Sequence, residues 1–310
     1  MKIVSLLPSA TEIAFVLGLG ESVVAVTHEC DYPSAALTKP HITQSIIPSG
    51  LSSREIDEIV ANKIGDSHSL YTINSELLQE LQPDLILTQQ LCDVCAVAYD
   101  DVVSAVCFLP EPRPQVLNLE PTTLSDILDN IRQVGDAVGI SGKASEVCDA
   151  LQARIDHVGR MVAEHAQTRP RTLLLEWIDP LFCGGHWDPE LVQIAGGFDA
   201  LGRMHEPSTQ ITWESVLEFN PEVLVVAQCG FPIERSIQDI PILEARPGYA
   251  DLAAVRDGRV YLVNGSDYFS RPGPRIVESL ELMACMIHPE IFGEPDDPKK
   301  ILRINALLAK

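Results

Sequence analysis

The sequence predicts an α/β protein: two Rossmann-like lobes with parallel sheets, bridged by one long helix. Three observations predict it. Short apolar runs alternate with helical stretches, which is the pattern of βα units. A helical pattern running from about Lys143 to His165 is roughly 35 Å long at 1.5 Å per residue, enough to bridge two lobes. A segment from Ile73 to Gln90 recurs from Ile211 to Gln228.

At 310 residues the chain exceeds what one compact core usually holds, and 46% hydrophobic residues suffice for two. The predicted division is residues 1–120, an N-terminal α/β lobe; 121–169, a helical region with the bridging helix; and 170–310, a C-terminal α/β lobe. A net charge of -22 argues against a nucleic-acid partner, because phosphate recognition needs clustered Lys and Arg. The longest apolar runs, such as Val223 to Ala227, fall far short of the ~20 residues of a spanning helix. Lys2 opens what reads as a strand rather than the basic and apolar regions of a secretory signal, so a cytoplasmic protein is expected. A periplasmic protein whose signal has been trimmed is the alternative. The eight cysteines are then expected to be free thiols or ligands rather than disulfides.

Taken in order, Lys2–Leu7 reads as a buried strand, and Ala10–Leu17 as a helix stopped by Gly18. Further strands are expected at Ser22–Thr27, Asp84–Gln89, Val103–Phe108 and Gln115–Leu119 in the first lobe. The second lobe has Thr172–Trp177, Glu222–Ala227 and Arg259–Val263. Between them, Leu124, Ile127, Leu128, Ile131, Val134 and Val138 keep helical spacing until Gly139. Val147, Leu151, Ile155, Val158 and Val162 then line one face of the long helix, which Thr168-Arg169-Pro170 ends. A last helix spans Ile276–Ile287, with Pro274 suited to a first turn. In the repeat, each copy is a helix, a Pro that ends it and a buried strand, with five of eighteen positions identical. A weaker match sets Glu12–Gly18 and His28-Glu29 against Glu190–Gly196 and His205-Glu206.

Open parallel sheets bind ligands beyond the carboxyl ends of their strands. Those ends carry His28, Glu29 and Cys30; Cys92 and Cys95; Glu176 and Trp177, followed by Cys183, His186 and Trp187; Cys229; and Phe269 and Arg271. Five cysteines therefore fall at expected strand ends, while Cys107, Cys148 and Cys285 read as packing residues. Cys92-x-x-Cys95 is the sharpest local motif: two thiolates at this spacing can share a soft metal, with Cys30, Cys183 and His186 as further candidate ligands. Two partly buried thiols capping a turn are the alternative. Gly184-Gly185 lets backbone approach a bound group closely beside His186. Trp177, Trp187 and Phe269 offer flat surfaces for a macrocycle, and Arg271 a donor for an anion near a helix start.

Val4-Ser-Leu-Leu-Pro-Ser-Ala-Thr-Glu12, Gln82-Pro-Asp-Leu-Ile-Leu87, Asn220-Pro-Glu-Val-Leu224, Gly248–Val260 and Ser270-Arg-Pro-Gly-Pro-Arg275 together resemble the bacterial solute-binding proteins for cobalamin, haem and iron–siderophore complexes. The resemblance covers nearly the whole chain and is closest to cobalamin-binding-protein-like members. It implies the class III solute-binding fold, a rigid bridging helix and a corrinoid or other metal chelate held between the lobes. It also implies a ligand-contacting arginine at Arg271. Glu76 and Glu214, at the same position of the repeat, would dock on arginines of an ABC-type membrane transporter.

The leading expectation is therefore a binding protein without catalysis, since no G-x-S-x-G elbow, Walker loop, H-E-x-x-H or dinucleotide glycine fingerprint is present. Its ligand is expected to be a cobalamin-like corrinoid or metal chelate. Direct binding of a soft metal through the cysteines, a metal- or thiol-dependent enzyme, and an intracellular carrier are the rivals.

Overall fold

A computed structural model describes residues 1–48, 50–65, 70–90, 99–295 and 297–304. The chain divides into two compact units, residues 1–121 with 125–149, and residues 122–124 with 150–310.

The first unit is built on strands β1 (Ile3–Ser5) and β2 (Val23–Ala25), with helix α1 (Pro8–Val16) between them. Pro8 stands in the first turn of α1, where no N–H is required of it. Gly18, at φ 81°, turns the chain out of the helix. Next come β3 (Thr43–Ser45), α2 (Ser53–Gly65), β4 (Tyr71–Ile73), α3 (Ser75–Leu81), β5 (Leu85–Thr88), α4 (Tyr99–Cys107) and β6 (Gln115–Asn118). The main sheet has the order β2-β1-β5-β6, parallel throughout. β3 and β4 form a separate antiparallel pair. Strands covered on both faces read as continuous apolar runs, and Leu85, Ile86 and Leu87 are buried without alternation.

The expected strand at Val103–Phe108 is instead part of α4. Val102 and Val106, one helical turn apart, are buried, whereas Val103 is exposed. A period near four, not two, governs this apolar run. Cys107, expected to pack, is exposed at the end of that helix.

Helix α5 (Leu124–Ala137) buries Leu124, Ile127, Leu128, Ile131 and Val134 on one stripe. It turns at Gly139 into α6 (Ser141–His165), which belongs to the first unit up to Asp149 and to the second from Ala150. Gly135 lies so close to the Ala144 methyl that any side chain there would overlap it. In the second unit, Arg154 of α6 donates to both carboxylate oxygens of Glu281, at 2.9 and 2.7 Å.

The second unit runs β7 (Thr172–Trp177), β8 (Phe182–Cys183), α7 (Asp188–Ile194), β9 (Thr209–Gln210), α8 (Trp213–Phe219), β10 (Val223–Val226), α9 (Ile233–Ser236), α10 (Ile240–Glu244), α11 (Ala253–Arg256), β11 (Val260–Val263), α12 (Ile276–Ile287), α13 (Pro289–Phe292) and β12 (Ile301–Arg303). Its sheet has the order β12-β11-β10-β7-β8-β9. The inner strands β11, β10 and β7 are parallel, and the flanking β12, β8 and β9 antiparallel.

The repeat is repeated in structure. Asn74 and Thr212 each cap a seven-residue helix, accepting from the backbone N–H three residues on. Gln82 and Asn220 end those helices in the left-handed region, both at φ 46°. Pro83 and Pro221 follow, and each then leads into a strand inside its sheet, β5 or β10. Gly18 and Gly196, from the weaker match, likewise share a positive φ after a helix, at 81° and 86°.

Candidate functional site

In the second unit, the carboxyl ends of β7 and β10 lie side by side because their pairing runs in register from Thr172↔Val223 to Leu175↔Val226. Trp177 is the last residue of β7 and is partly exposed. Its indole N–H donates to the Asp179 carbonyl at 3.2 Å, which fixes the ring. Phe231, just past β10, packs against it with centroids 4.9 Å apart at 47°. The Arg235 guanidinium carbon lies 4.4 Å over the Phe231 ring. Arg235 in turn donates to Asp239 Oδ1 at 3.1 Å, and Asp239 Oδ2 accepts from Gln228 Nε2 at 2.9 Å. A tryptophan, a phenylalanine and an anchored guanidinium thus form one continuous surface where a ligand of an open parallel sheet belongs. Phe231 closes the segment Gln228–Phe231 that follows the expected strand Glu222–Ala227, whereas Arg235, four residues further on, carries no signal in the sequence.

Glu176 faces the other way and secures the chain. It accepts from the Gly185 N–H at 2.9 Å and from the Ser208 hydroxyl. His186 N–H donates to the Glu206 carbonyl at 2.6 Å, and His205 N–H to the His186 carbonyl at 2.8 Å. These bonds clip the 184–187 turn to the 205–208 segment and hold His186 at φ 49°, where non-glycine residues are uncommon. The close approach that Gly185 permits is therefore to the chain itself: a side chain there would overlap the Ser208 N–H and the Glu206 carbonyl. Asp188, wholly buried, has its carboxyl pushed well above the usual range, by burial first and then by Glu176 alongside. His186 is half-buried and stacks on Trp187, with centroids 5.5 Å apart; burial lowers its pKa, which Glu176 partly offsets.

Several of the expected ligand-contact residues are buried among the described residues. Trp187 is 6% exposed and donates to the Phe269 carbonyl at 2.7 Å; Phe269 is 1% exposed, so neither ring presents a face for stacking. Arg271 is also buried, with a 3.4 Å contact from Nη2 to Ser266 Oγ. Cys183 lies within β8, not beyond a strand end, and its thiol is 3.1 Å from the Leu201 carbonyl; burial raises its pKa, away from the thiolate a metal requires. Cys229 is partly exposed, and its N–H donates to the Glu176 carbonyl at 3.1 Å.

In the first unit, His28 follows β2, its Nδ1 2.8 Å from Thr43 Oγ1 and its ring 5.7 Å from Tyr71. Burial and neighbouring His41 lower its pKa. Glu29 Oε1 lies 4.0 Å from His28 Nε2. Cys30 is buried between the hydroxyls of Thr11 and Thr27, at 3.1 and 3.2 Å, and so is occupied internally. Cys92 and Cys95 lie outside the described residues. Among the described residues, no three His, Cys, Asp or Glu side chains converge as a metal site. Glu76 and Glu214, matched second residues of α3 and α8, are each exposed on their own unit.

A family model for periplasmic binding proteins matches residues 3–266. The chain belongs to this family. Among similar proteins, the ABC transporter substrate-binding lipoprotein YvrC of Bacillus subtilis is 26% identical, covering 94% of this chain and 82% of YvrC. The vitamin B12-binding protein of Vibrio cholerae is also 26% identical, over 90% of this chain and 86% of its own. Among solved structures, the periplasmic heme-binding protein RhuT from Roseiflexus superposes with a TM-score of 0.68 at 21% identity, covering 93% and 97% of the two chains. The chain therefore has the class III solute-binding fold, as expected from the sequence. Its relatives are named for binding rather than catalysis, and for the periplasm or a lipid anchor. The expected cytoplasmic location finds no support in them.

Proposed function

We propose that this periplasmic binding protein captures a planar metal chelate, a corrinoid or a tetrapyrrole, against the Trp177–Phe231 surface of its second unit, and serves an ABC-type importer outside the cytoplasm. The observation that carries the reading is the aromatic pair itself. Two rings 4.9 Å apart, one locked by its indole N–H, stand at the carboxyl ends of neighbouring parallel strands. Flat apolar contact with few positioned polar groups is what a macrocycle needs. The names of the relatives support the ligand class: vitamin B12 for the Vibrio protein and heme for the Roseiflexus one. The exposure of Glu76 and Glu214 at matched positions supports a transporter as the partner. A bare soft metal has less behind it, because Cys30 and Cys183 are engaged internally.

Titration of cyanocobalamin and of haem, followed by intrinsic fluorescence, tests this. Bound macrocycle should quench Trp177, and Trp177→Ala should weaken binding about tenfold or more, the loss of one aromatic stacking contact of ~1.4 kcal/mol. Unchanged affinity in Trp177→Ala would place the ligand elsewhere.

A further inference from the structure

We propose that the second unit carries a further ligand site, at the opposite end of its sheet from Trp177, where Arg169 takes up a small organic carboxylate with an apolar tail. The inference goes beyond the macrocycle reading and does not depend on it. Arg169-Pro170-Arg171 leads into β7, whose far end is Trp177, so roughly 20 Å of strand at about 3.3 Å per residue separates the two places. A cavity of about 460 Å³, a volume suited to a small molecule, opens there between the end of α6 and α7. Val162, Ala163 and Ala166 line it from the last turn of α6 and just beyond, Gln193 and Gly196 from the end of α7 and the turn after it, and Arg169 from the segment that leads into β7.

Arg169 is the cation of this cavity, and no acid of the chain engages it. Among the described residues its one hydrogen bond runs from Nη2 to the Gly197 carbonyl at 3.0 Å, and no carboxylate pairs with it. That bond holds the guanidinium at one corner and leaves the other N–H donors of the fork for a carboxylate. A single planar guanidinium matches a singly charged, planar anion better than a phosphate dianion. The methyl groups of Val162, Ala163 and Ala166 offer apolar contact to a short tail. At Gly196 the wall is bare backbone and must stay so: a methyl there would lie 2.7 Å from Val162 Cγ1 and 2.7 Å from Nε2 of His288. His288 is buried, its Nδ1 is 2.9 Å from Glu290 Oε1, and its Nε2 has no hydrogen-bond partner. An unpaired polar atom therefore stands directly against this wall. The carbonyl ends of α6 and α7 oppose an anion, but that effect is weak and confined to the last turn, whereas the guanidinium bonds the anion directly.

The test titrates hexanoate, its uncharged counterpart hexanamide and inorganic phosphate into the full chain, followed by NMR. The proteins are wild type, Arg169→Gln, Arg169→Lys, Ala166→Leu and Trp177→Ala, with thermal melts to check that each variant folds. Wild type is expected to bind hexanoate about tenfold or more tighter than hexanamide, and tighter than phosphate. Arg169→Gln should remove most of the preference for hexanoate over hexanamide, and Arg169→Lys should keep part of it. Ala166→Leu, which fills the cavity, should weaken hexanoate, and Trp177→Ala should leave it unchanged. Equal affinity of wild type for hexanoate and hexanamide, a preference that survives Arg169→Gln, or unaltered hexanoate binding in Ala166→Leu overturns the inference. Tighter binding of phosphate, loss of hexanoate binding in Trp177→Ala, or binding of none of the three probes overturns it too. None of these results bears on macrocycle binding, which the cyanocobalamin and haem titrations decide separately.

Discussion

Replacing Gly185 with alanine is expected to destabilise the second unit by about 3–5 kcal/mol, the range of backbone overlap combined with lost buried bonds. The added methyl would collide with the Ser208 N–H and lie 2.7 Å from the Glu206 carbonyl oxygen, both backbone groups that cannot swing aside. Relief requires parting the 184–187 turn from the 205–208 segment. That breaks the bonds exchanged by His186 with Glu206 and His205, and strains both bonds to Glu176. Gly142 provides the control. It sits in the first turn of α6, and nothing lies within 4 Å of an added methyl. Gly142→Ala should be neutral or stabilising by a few tenths of a kcal/mol, through helix propensity and a stiffer unfolded chain. Chemical denaturation of the two variants checks this; equal stability of Gly185→Ala and wild type would mean that the turn is not clipped as described.

Asp188→Asn is expected to change how stability depends on pH. Asp188 is buried, and burial first and then the neighbouring Glu176 carboxylate oppose its ionisation. Asp199 and the Cys229 thiol also oppose its ionisation. Its folded pKa is thus raised above the ~3.9 of an unfolded aspartate. The sign follows from linkage: the folded form binds the proton more tightly. The stabilisation is full below the unfolded pKa and is lost as pH rises through the folded value. The wild type should therefore lose stability relative to Asp188→Asn at up to about 1.4 kcal/mol per pH unit across that window. Asn is close to Asp in size and has no proton to lose. Denaturation series from acid to mildly alkaline pH, run on both proteins, measure the difference. Parallel pH profiles would show that Asp188 ionises as freely in the folded chain as in the unfolded one.

Much of the fold could be read directly. Apolar runs at Leu85–Leu87 and Val223–Val226 are strands because burial on both faces leaves no alternation, and the repeat located β5 and β10 with the helices before them. The expected strand at Val103–Phe108 fails because Val102, Val103 and Val106 are all β-branched; only their burial reveals a helical period. The site was less legible. Position after a strand singles out both Trp177, which is partly exposed, and Trp187, which is buried, because it cannot tell a ring that faces solvent from one that faces the core. Trp187 and Phe269 are turned inward by a bond 82 residues apart in sequence, and Cys183 by an antiparallel strand too short to show a pattern. Phe231 and Arg235 emerge only when β10 is paired beside β7. Glycine pairs suggest close approach but not to what; at Gly185 the partner is the chain's own backbone.

The central claim, that this protein holds one planar metal chelate without transforming it, is tested most directly by isothermal calorimetry of the unliganded protein against haem and cyanocobalamin. Binding of one of them at 1:1 stoichiometry, well below ~100 μM, or beyond about -5.5 kcal/mol, with the ligand recovered unchanged, is the predicted result. Binding of neither macrocycle within that limit would contradict it.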